Sequence, residues 1–181
     1  MFDTLVAGSS HRTPMSLEAF RALGEIKHAE YYDGLCVVNP PDRSHERVVA
    51  RLRRAVEAVC PANLEVHDGW GWETGSGHPY VPDLMVCETD AADRDVLRFP
   101  PPVLVVEVCS PSTRDADWGR KLDDYGGGGA SWYWIVERST PEIVVFENTG
   151  GRMVERARVI RAATMPGPLP ATVDPTGFDR L

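Results

Sequence analysis

The sequence has no long hydrophobic run and no excess of basic residues. No stretch approaches the roughly 18 consecutive apolar residues of a membrane-spanning helix, and the amino terminus lacks the basic flank and apolar segment of a secretory signal. We therefore expect neither a membrane span nor a secretory signal. Acidic residues outnumber basic ones, 27 against 19, which gives a net charge of −8. This sign argues against a protein that coats nucleic acid non-specifically, although it allows a local basic patch.

Cysteine is scarce, and its spacing is irregular. The four cysteines, Cys36, Cys60, Cys87 and Cys109, are widely separated and form no CxxC pair. This spacing argues against a zinc knuckle, and in the absence of a secretory signal it predicts reduced thiols in a cytoplasmic protein. We expect all four to be packing residues.

What remains is an ordinary composition for a globular protein, with 43% hydrophobic and 25% charged residues in a chain of 181. Residues 1–14 carry no periodicity and are expected to form a loose tail. Residues 15–181 are expected to form a single domain. Short extended runs alternate with helical ones, so the predicted class is α/β, with a mixed sheet flanked by helices.

Hydrophobic periodicity locates the elements. Helices are predicted at 17–23, at 44–59 and from 112 or 113 to about 125. Strands are predicted at 30–32, 35–38, 64–66, 83–87, 103–108, 132–136, 143–147 and 153–160, with an extended strap from 164 onward. Residues 103–108 are apolar on both alternating sets, so both faces of that strand should be covered. Its single charge, Glu107, is costly to bury and requires a partner.

A stripe of basic residues follows the second predicted helix. Arg47, Arg51 and Arg54 recur at i, i+4 and i+7. The stripe is a solvated face in one interpretation and an edge that contacts nucleic-acid phosphates in the other.

Three charged residues stand out by their positions. Asp83 opens one predicted strand, Glu107 lies near the end of another, and Lys121 lies on the helix that follows, at helical spacing from Asp117 and Tyr125. Carboxylates on neighbouring strands are hard oxygen ligands suited to Mg²⁺ or Mn²⁺, and a lysine beside them can help to activate water. The alternative is structural, with Glu107 and Lys121 forming an ion pair that fixes the helix on the sheet. Spacing alone leaves both open.

The strings "VPDLMV", "PPVLVVEVCSPSTRDADWGRKLDDY" and "WYWIVE" resemble the bacterial Uma-two family of restriction-endonuclease-like proteins, a branch of the PD-(D/E)XK nuclease superfamily. The similarity covers roughly residues 14–160. The matching positions are Pro82-Asp83, Glu107 with 110–113, Asp117, Lys121, Tyr125 and Tyr133-Trp134, and more loosely Glu30, Asp33-Gly34 and His45.

The resemblance implies a metal-dependent nuclease core with Asp83 and Glu107 as metal ligands. Lys121 would position the attacking water, taking the place of the usual lysine two residues after the glutamate, where this chain has Cys109. His45, Asp117 and Tyr125 would support these residues. A helix-capping or surface imidazole is the alternative role for His45.

Two departures from the family pattern bear on activity. Leu35 stands where the family often has a glutamate, and the run 126–129 is all glycine where a helical end is usual. Taken as a whole, the resemblance implies a Mg²⁺- or Mn²⁺-dependent endonuclease that hydrolyses nucleic acid, with DNA as the expected substrate. The alternative is a catalytically degenerate module of nuclease fold that binds or assembles. A third interpretation is a structural dimer subunit, since homodimers are common among nuclease-like folds.

Overall fold

A computed structural model describes residues 11–23, 29–38, 42–89, 96–97 and 100–178. The helices are α1 (Leu17–Ala22), α2 (Arg43–Glu57), α3 (Arg114–Trp118) and α4 (Arg120–Gly127). The strands are β1 (His11–Pro14), β2 (Ala29–Tyr32), β3 (Leu35–Val38), β4 (Leu64–His67), β5 (Gly71–Glu73), β6 (Pro79–Tyr80), β7 (Leu84–Glu88), β8 (Val96–Leu97), β9 (Leu104–Val108), β10 (Trp132–Glu137), β11 (Glu142–Thr149), β12 (Arg152–Val159), β13 (Ala163–Thr164) and β14 (Thr172–Val173).

A six-stranded mixed sheet in the order β12-β11-β10-β9-β7-β4 forms the centre of the molecule. Strands β9 and β10 run parallel, and the other neighbours in this sheet pair antiparallel. All five residues of β9 are buried, which confirms that both of its faces are covered. The predicted α/β class with a mixed sheet flanked by helices is therefore correct.

Two hydrophobic cores cover the two faces of this sheet. On one face, α2 packs through the predicted apolar stripe, whose buried members are Val48, Val49, Leu52 and Val56. The carboxy-terminal strap joins the same core through Met165, Leu169, Ala171, Val173 and Phe178. On the other face, side chains from β9 and β10 meet the aromatic rings of Trp72, Tyr80, Tyr125 and Tyr133. Glu107, Lys121 and Tyr125 lie on this aromatic side, whereas the predicted site residues of α2 lie on a helix that packs on the other face.

A small sheet in the order β1-β3-β2 stands beside the aromatic core. Its β2–β3 hairpin turns at Asp33 and Gly34, whose φ angles of 52° and 75° fit the type I′ turn expected of an Asp-Gly pair. The prediction of a loose tail through residue 14 is wrong for residues 11–14, because they pair with β3 as strand β1. Residues 1–10 lie outside the described part of the chain.

The predicted single helix after β9 is two helices. The chain breaks between α3 and α4 at Gly119, whose φ and ψ of −113° and −101° are not helical. A Cβ at this position would lie 2.9 Å from the carbonyl oxygen of Asp115, so a residue with a side chain fits poorly. The glycine therefore lets the chain change direction while Asp117 and Lys121 remain close.

The glycine run at the end of α4 packs closely against its surroundings. A Cβ on Gly126 would lie 2.9 Å from the carbonyl oxygen of Gly151, and one on Gly128 would lie 3.1 Å from the ring of Trp72. These approaches anchor α4 against the β11–β12 hairpin and the aromatic core.

Candidate active site

Asp83 and Glu107 face each other across two antiparallel strands. Strand β7 pairs with β9 so that Leu84 lies opposite Val106, and the same register carried one residue further sets Asp83 opposite Glu107. Asp83 Oδ2 accepts a hydrogen bond of 2.7 Å from the backbone N–H of Val108, which holds the carboxylate at the strand end. The sheet thus brings the two predicted carboxylates together.

The side chain of Glu107 is buried and held by two donors. Its Oε1 accepts hydrogen bonds from Lys121 Nζ at 3.0 Å and from the Tyr125 hydroxyl at 2.6 Å. Burial raises the pKa of Glu107 well above its usual 4.5; the charge of Lys121 opposes this, and that of Asp83 adds to it. Two carboxylates that repel each other in this way favour a shared cation or proton.

Lys121 lies among three carboxylates. Its Nζ is 2.8 Å from Glu30 Oε1, 3.0 Å from Glu107 Oε1 and 3.1 Å from Asp117 Oδ1, and all four side chains are buried. Burial alone would lower the pKa of Lys121, but the surrounding carboxylates outweigh it and raise the pKa well above 10.5. Lys121 is therefore an ammonium ion, and we call Glu30, Glu107, Asp117 and Lys121 the lysine cluster.

Aromatic side chains seal the lysine cluster from solvent. Tyr125 and Tyr133 pack edge to face at 5.1 Å, and Tyr80 packs edge to face on Tyr125 at 5.4 Å. The Tyr133 hydroxyl donates to the carbonyl oxygen of Asp117 at 3.1 Å, which ties α3 to β10. Inside this wall, charged groups interact more strongly than they would in water.

His45 approaches Asp83 from the first turn of α2. The imidazole Nε2 lies 3.0 Å from Asp83 Oδ2, and the ring is buried. Burial acts to lower the pKa of His45, but the hydrogen bond and charge of Asp83 outweigh it, so the pKa is raised above 6.5. The capping role falls to Asp42, whose side chain accepts from the backbone N–H of His45. His45 therefore positions Asp83 instead of capping the helix.

Two residues at or near the site are missing from the set that the motifs predict. Glu30 entered it only as a loose family match, yet it lies closest to the lysine; with Tyr32 it forms the buried, alternating face of β2. The second feature is Asp124, whose Oδ2 lies 2.7 Å from His78 Nδ1 and accepts from the Tyr80 hydroxyl at 2.6 Å. The i, i+2 alternation in β2 could have indicated Glu30, whereas no local pattern joins Asp124 to residues so distant in the chain.

The basic stripe lies apart from the carboxylates. Arg47, Arg51 and Arg54 are exposed on α2. That helix packs on the sheet face opposite to the lysine cluster, and only its first turn, through His45, reaches Asp83.

The donor set suits a hard divalent cation bound by few protein ligands. Among the described residues, no group of three or more His, Cys, Asp or Glu side chains could hold a metal ion. Two facing carboxylates are present, however, and Mg²⁺ is commonly held by one or two carboxylates while it keeps several waters. In the described part of the chain, Asp83 Oδ1 and Glu107 Oε2 have no hydrogen-bond partner. The residues present thus fit a cation that is completed by water or substrate.

This mixed sheet with its flanking helices has the restriction-endonuclease-like fold. A crystal structure described as "a putative nuclease belonging to DUF820", from Anabaena variabilis ATCC 29413, matches with a TM-score of 0.71 at 16% sequence identity. The match covers 92% of this chain and 98% of that one. At this identity the likeness establishes the fold alone.

The chain belongs to the Uma2 family, which is described as "Putative restriction endonuclease" and which matches residues 17–171. This confirms the family that the motifs around Asp83, Glu107 and Lys121 predict. No curated protein matches the chain. In the residues that the structure covers, none of the helices has the length and apolar character needed to cross a membrane.

Proposed function

We propose that the protein is a nuclease that depends on Mg²⁺ or Mn²⁺ and hydrolyses phosphodiester bonds, with DNA as its substrate. The observation that carries this proposal is the pair of carboxylates, Asp83 and Glu107, facing each other beside a buried ammonium group. Asp83 and Glu107 would hold the cation, with the backbone carbonyl next to Glu107 as a further ligand. When bound, such a cation stabilises charge on the phosphate and makes water more acidic.

In this proposal Lys121 has two tasks. It fixes Glu107 by donating to Oε1, and it positions the attacking water. An ammonium group has three N–H donors, and three carboxylates surround this one. Within the described residues Asp117 Oδ1 accepts no hydrogen bond although it lies 3.1 Å from Nζ, so the contact with Asp117 is the one that can give way to water while Glu107 stays in place.

Three further residues support the reacting groups. His45 holds Asp83 Oδ2, Tyr125 holds Glu107 Oε1, and Asp117 contributes to the charge that keeps Lys121 protonated. We assign the exposed Arg47, Arg51 and Arg54 to contacts with the DNA backbone. A cytoplasmic location and a homodimer stay predictions from the sequence.

A second candidate is a module of the same fold that binds without turnover. Glu107 already has a counter-charge in Lys121 at 3.0 Å, so the buried carboxylate does not need a metal for neutrality. Leu35, which stands at a position where a glutamate is usual in the family, points in the same direction.

Calorimetric titration with Mn²⁺ separates the two candidates. We expect saturable binding in the wild type and in Glu88→Gln, a control that neutralises an exposed carboxylate on β7, and no binding in Asp83→Asn or Glu107→Gln. Labelled single- and double-stranded DNA should then be cut by the first two proteins and not by the last two. Equal Mn²⁺ binding in all four proteins, or none in the wild type together with no cleavage, would favour the binding module.

A further inference from the structure

A cavity of about 440 Å³ opens beside the candidate site. It lies at the carboxyl ends of the parallel strands β9 and β10, the edge at which sheets of this kind usually bind ligands. Ser44, next to His45, lines it, and so does Cys109, which follows the last residue of β9. Two lining residues are therefore chain neighbours of His45 and Val108, which both contact Asp83 Oδ2.

Two arginines in this cavity are held in place while terminal nitrogens stay available. Arg138 donates through Nε to the carbonyl oxygen of Cys109 at 3.2 Å and through Nη1 to Asp42 and Ser44. Arg114 donates through Nε to Glu137 Oε1 at 2.8 Å. Within the described residues, neither Nη2 of Arg138 nor either terminal nitrogen of Arg114 has a hydrogen bond. These nitrogens are the donors that a phosphate oxygen takes up.

The arginine donors of the lining favour an anion. Each arginine has one carboxylate partner, Glu137 for Arg114 and Asp42 for Arg138, so the attraction comes from the terminal nitrogens that these partners leave open and not from an excess of charge. Glu137 Oε1 also accepts from Trp118 Nε1 at 2.7 Å, which fixes this carboxylate beside Arg114. Hydroxyl groups of Ser110 and Ser139 also line the rim, whereas the Ser44 hydroxyl already donates to Asp42 at 2.6 Å. The volume lies within the range of small-ligand pockets, so one nucleotide unit is of suitable size.

We propose that this cavity binds a phosphate group of a nucleic-acid strand through Arg114 and Arg138. The choice of nucleic acid as the source of the phosphate rests on the proposed function. Held here, the strand would lie beside Asp83 and Glu107, so the cavity would determine which phosphodiester bond reaches them. Arg114 and Arg138 are thus substrate-positioning residues that the sequence motifs did not indicate.

Calorimetry with thymidine 3′,5′-bisphosphate in EDTA tests the site without any metal. Arg114→Gln removes an exposed guanidinium and should weaken binding at least roughly tenfold, because hydrogen bonds between charged groups are stronger than those between neutral groups. Arg152→Gln is the matched control, because it removes an exposed charge on β12 at the opposite end of the sheet. It should bind like the wild type, and inorganic phosphate should bind at least about tenfold more weakly than the bisphosphate.

Equal affinities of wild type and Arg114→Gln, no saturable binding by the wild type, or equal affinity for inorganic phosphate would each overturn the assignment. Asp83→Asn separates this failure from failure of the proposed function. If Asp83→Asn and the wild type bind the bisphosphate alike but neither cuts DNA, the cavity assignment stands and the nuclease proposal fails. If the wild type cuts DNA while Arg114→Gln binds normally, the nuclease proposal stands and the cavity assignment fails.

Discussion

Lys121 and Glu30 form the shortest ion pair of the lysine cluster, with 2.8 Å between Nζ and Oε1. The lysine comes from α4, and the glutamate comes from the β2–β3 hairpin near the start of the chain. This contact ties the hairpin to the face of the sheet that carries Glu107. The residue nearest to the ammonium group is thus one that the motif-based assignment left outside the site.

Replacing Lys121 should destabilise the fold strongly. Lys121→Met leaves Glu30, Glu107 and Asp117 buried without a counter-charge, and we expect a loss of about 3–5 kcal/mol in the free energy of unfolding near neutral pH. Urea denaturation followed by circular dichroism measures it. The double variant Lys121→Met/Glu30→Gln should recover part of this loss, with a coupling of about 0.5–3 kcal/mol, because one carboxylate becomes neutral. Wild-type stability in Lys121→Met would refute the buried ion cluster.

The pKa of His45 should depend on Asp83. In the metal-free wild type, NMR titration should give a midpoint above 6.5, because the hydrogen bond and charge of Asp83 outweigh burial. Asp83→Asn removes the carboxylate charge, so burial becomes the main influence on the pKa of His45 and the midpoint should fall below 6.5. His67, whose pKa burial lowers, is the internal control and should not move. An unchanged His45 midpoint would mean that the 3.0 Å contact does not persist in solution.

The same shift links stability to pH. The pKa of His45 is higher in the folded state than in the unfolded state, so its protonated form stabilises the fold. That contribution is fully present below pH 6.5 and is lost as the pH rises through the folded-state value. In Asp83→Asn the folded-state pKa of His45 should lie below the unfolded value, so the sign of this dependence should reverse, and denaturation curves at several pH values would reveal it. A wild-type dependence retained in the variant would point to another titrating group.

Two adjacent glycines should respond oppositely to alanine. Gly127 is exposed in α4, and a Cβ there meets nothing within 4 Å, so Gly127→Ala should stabilise the protein by up to about 1 kcal/mol. Gly126→Ala should destabilise it by about 1–3 kcal/mol, because its Cβ would lie 2.9 Å from the Gly151 carbonyl oxygen. Thermal unfolding of both variants measures the difference. Equal effects would mean that α4 does not pack closely on the β11–β12 turn.

The thiols should react slowly in the native protein. Burial raises the pKa of Cys87 to about 12, and it also raises the pKa values of Cys36, Cys60 and Cys109. The thiolate is the reactive form, so alkylation by iodoacetamide near pH 8 should be slow and should accelerate strongly in concentrated urea. Mass spectrometry of digests would locate the modified residues. Rapid native alkylation of Cys87 would contradict its burial in the core on the aromatic side of the sheet.

Local sequence patterns correctly predict helix caps, turns and apolar helix faces. Ser16 begins α1 and accepts from the backbone N–H of Ala19, Asp33 and Gly34 form the expected turn, and the apolar stripe of α2 is buried as predicted. Asp83 and Glu107 come together because their strands are neighbours, which the family resemblance implied. The strand at residues 11–14 was missed because its stability comes from pairing with β3 and not from its own periodicity.

The other features that the sequence did not predict also depend on the folded structure and not on local patterns. Gly119 lies inside a stretch whose side chains keep helical spacing, so that spacing predicts one helix although the glycine ends α3 with a non-helical φ and ψ. Arg114 and Arg138 meet only because β9 and β10 are parallel neighbours. A sequence read alone contains the residues but not that adjacency.

The buried ammonium group of Lys121 also bears on the order of folding and metal binding. Sites whose carboxylates depend on a metal for charge balance fold only as the ion arrives. Here the chain brings its own cation to Glu107, so the buried carboxylate has charge balance without a divalent ion. Under the proposed function, metal binding would therefore be a separate step after folding, and a chelator would leave the protein folded.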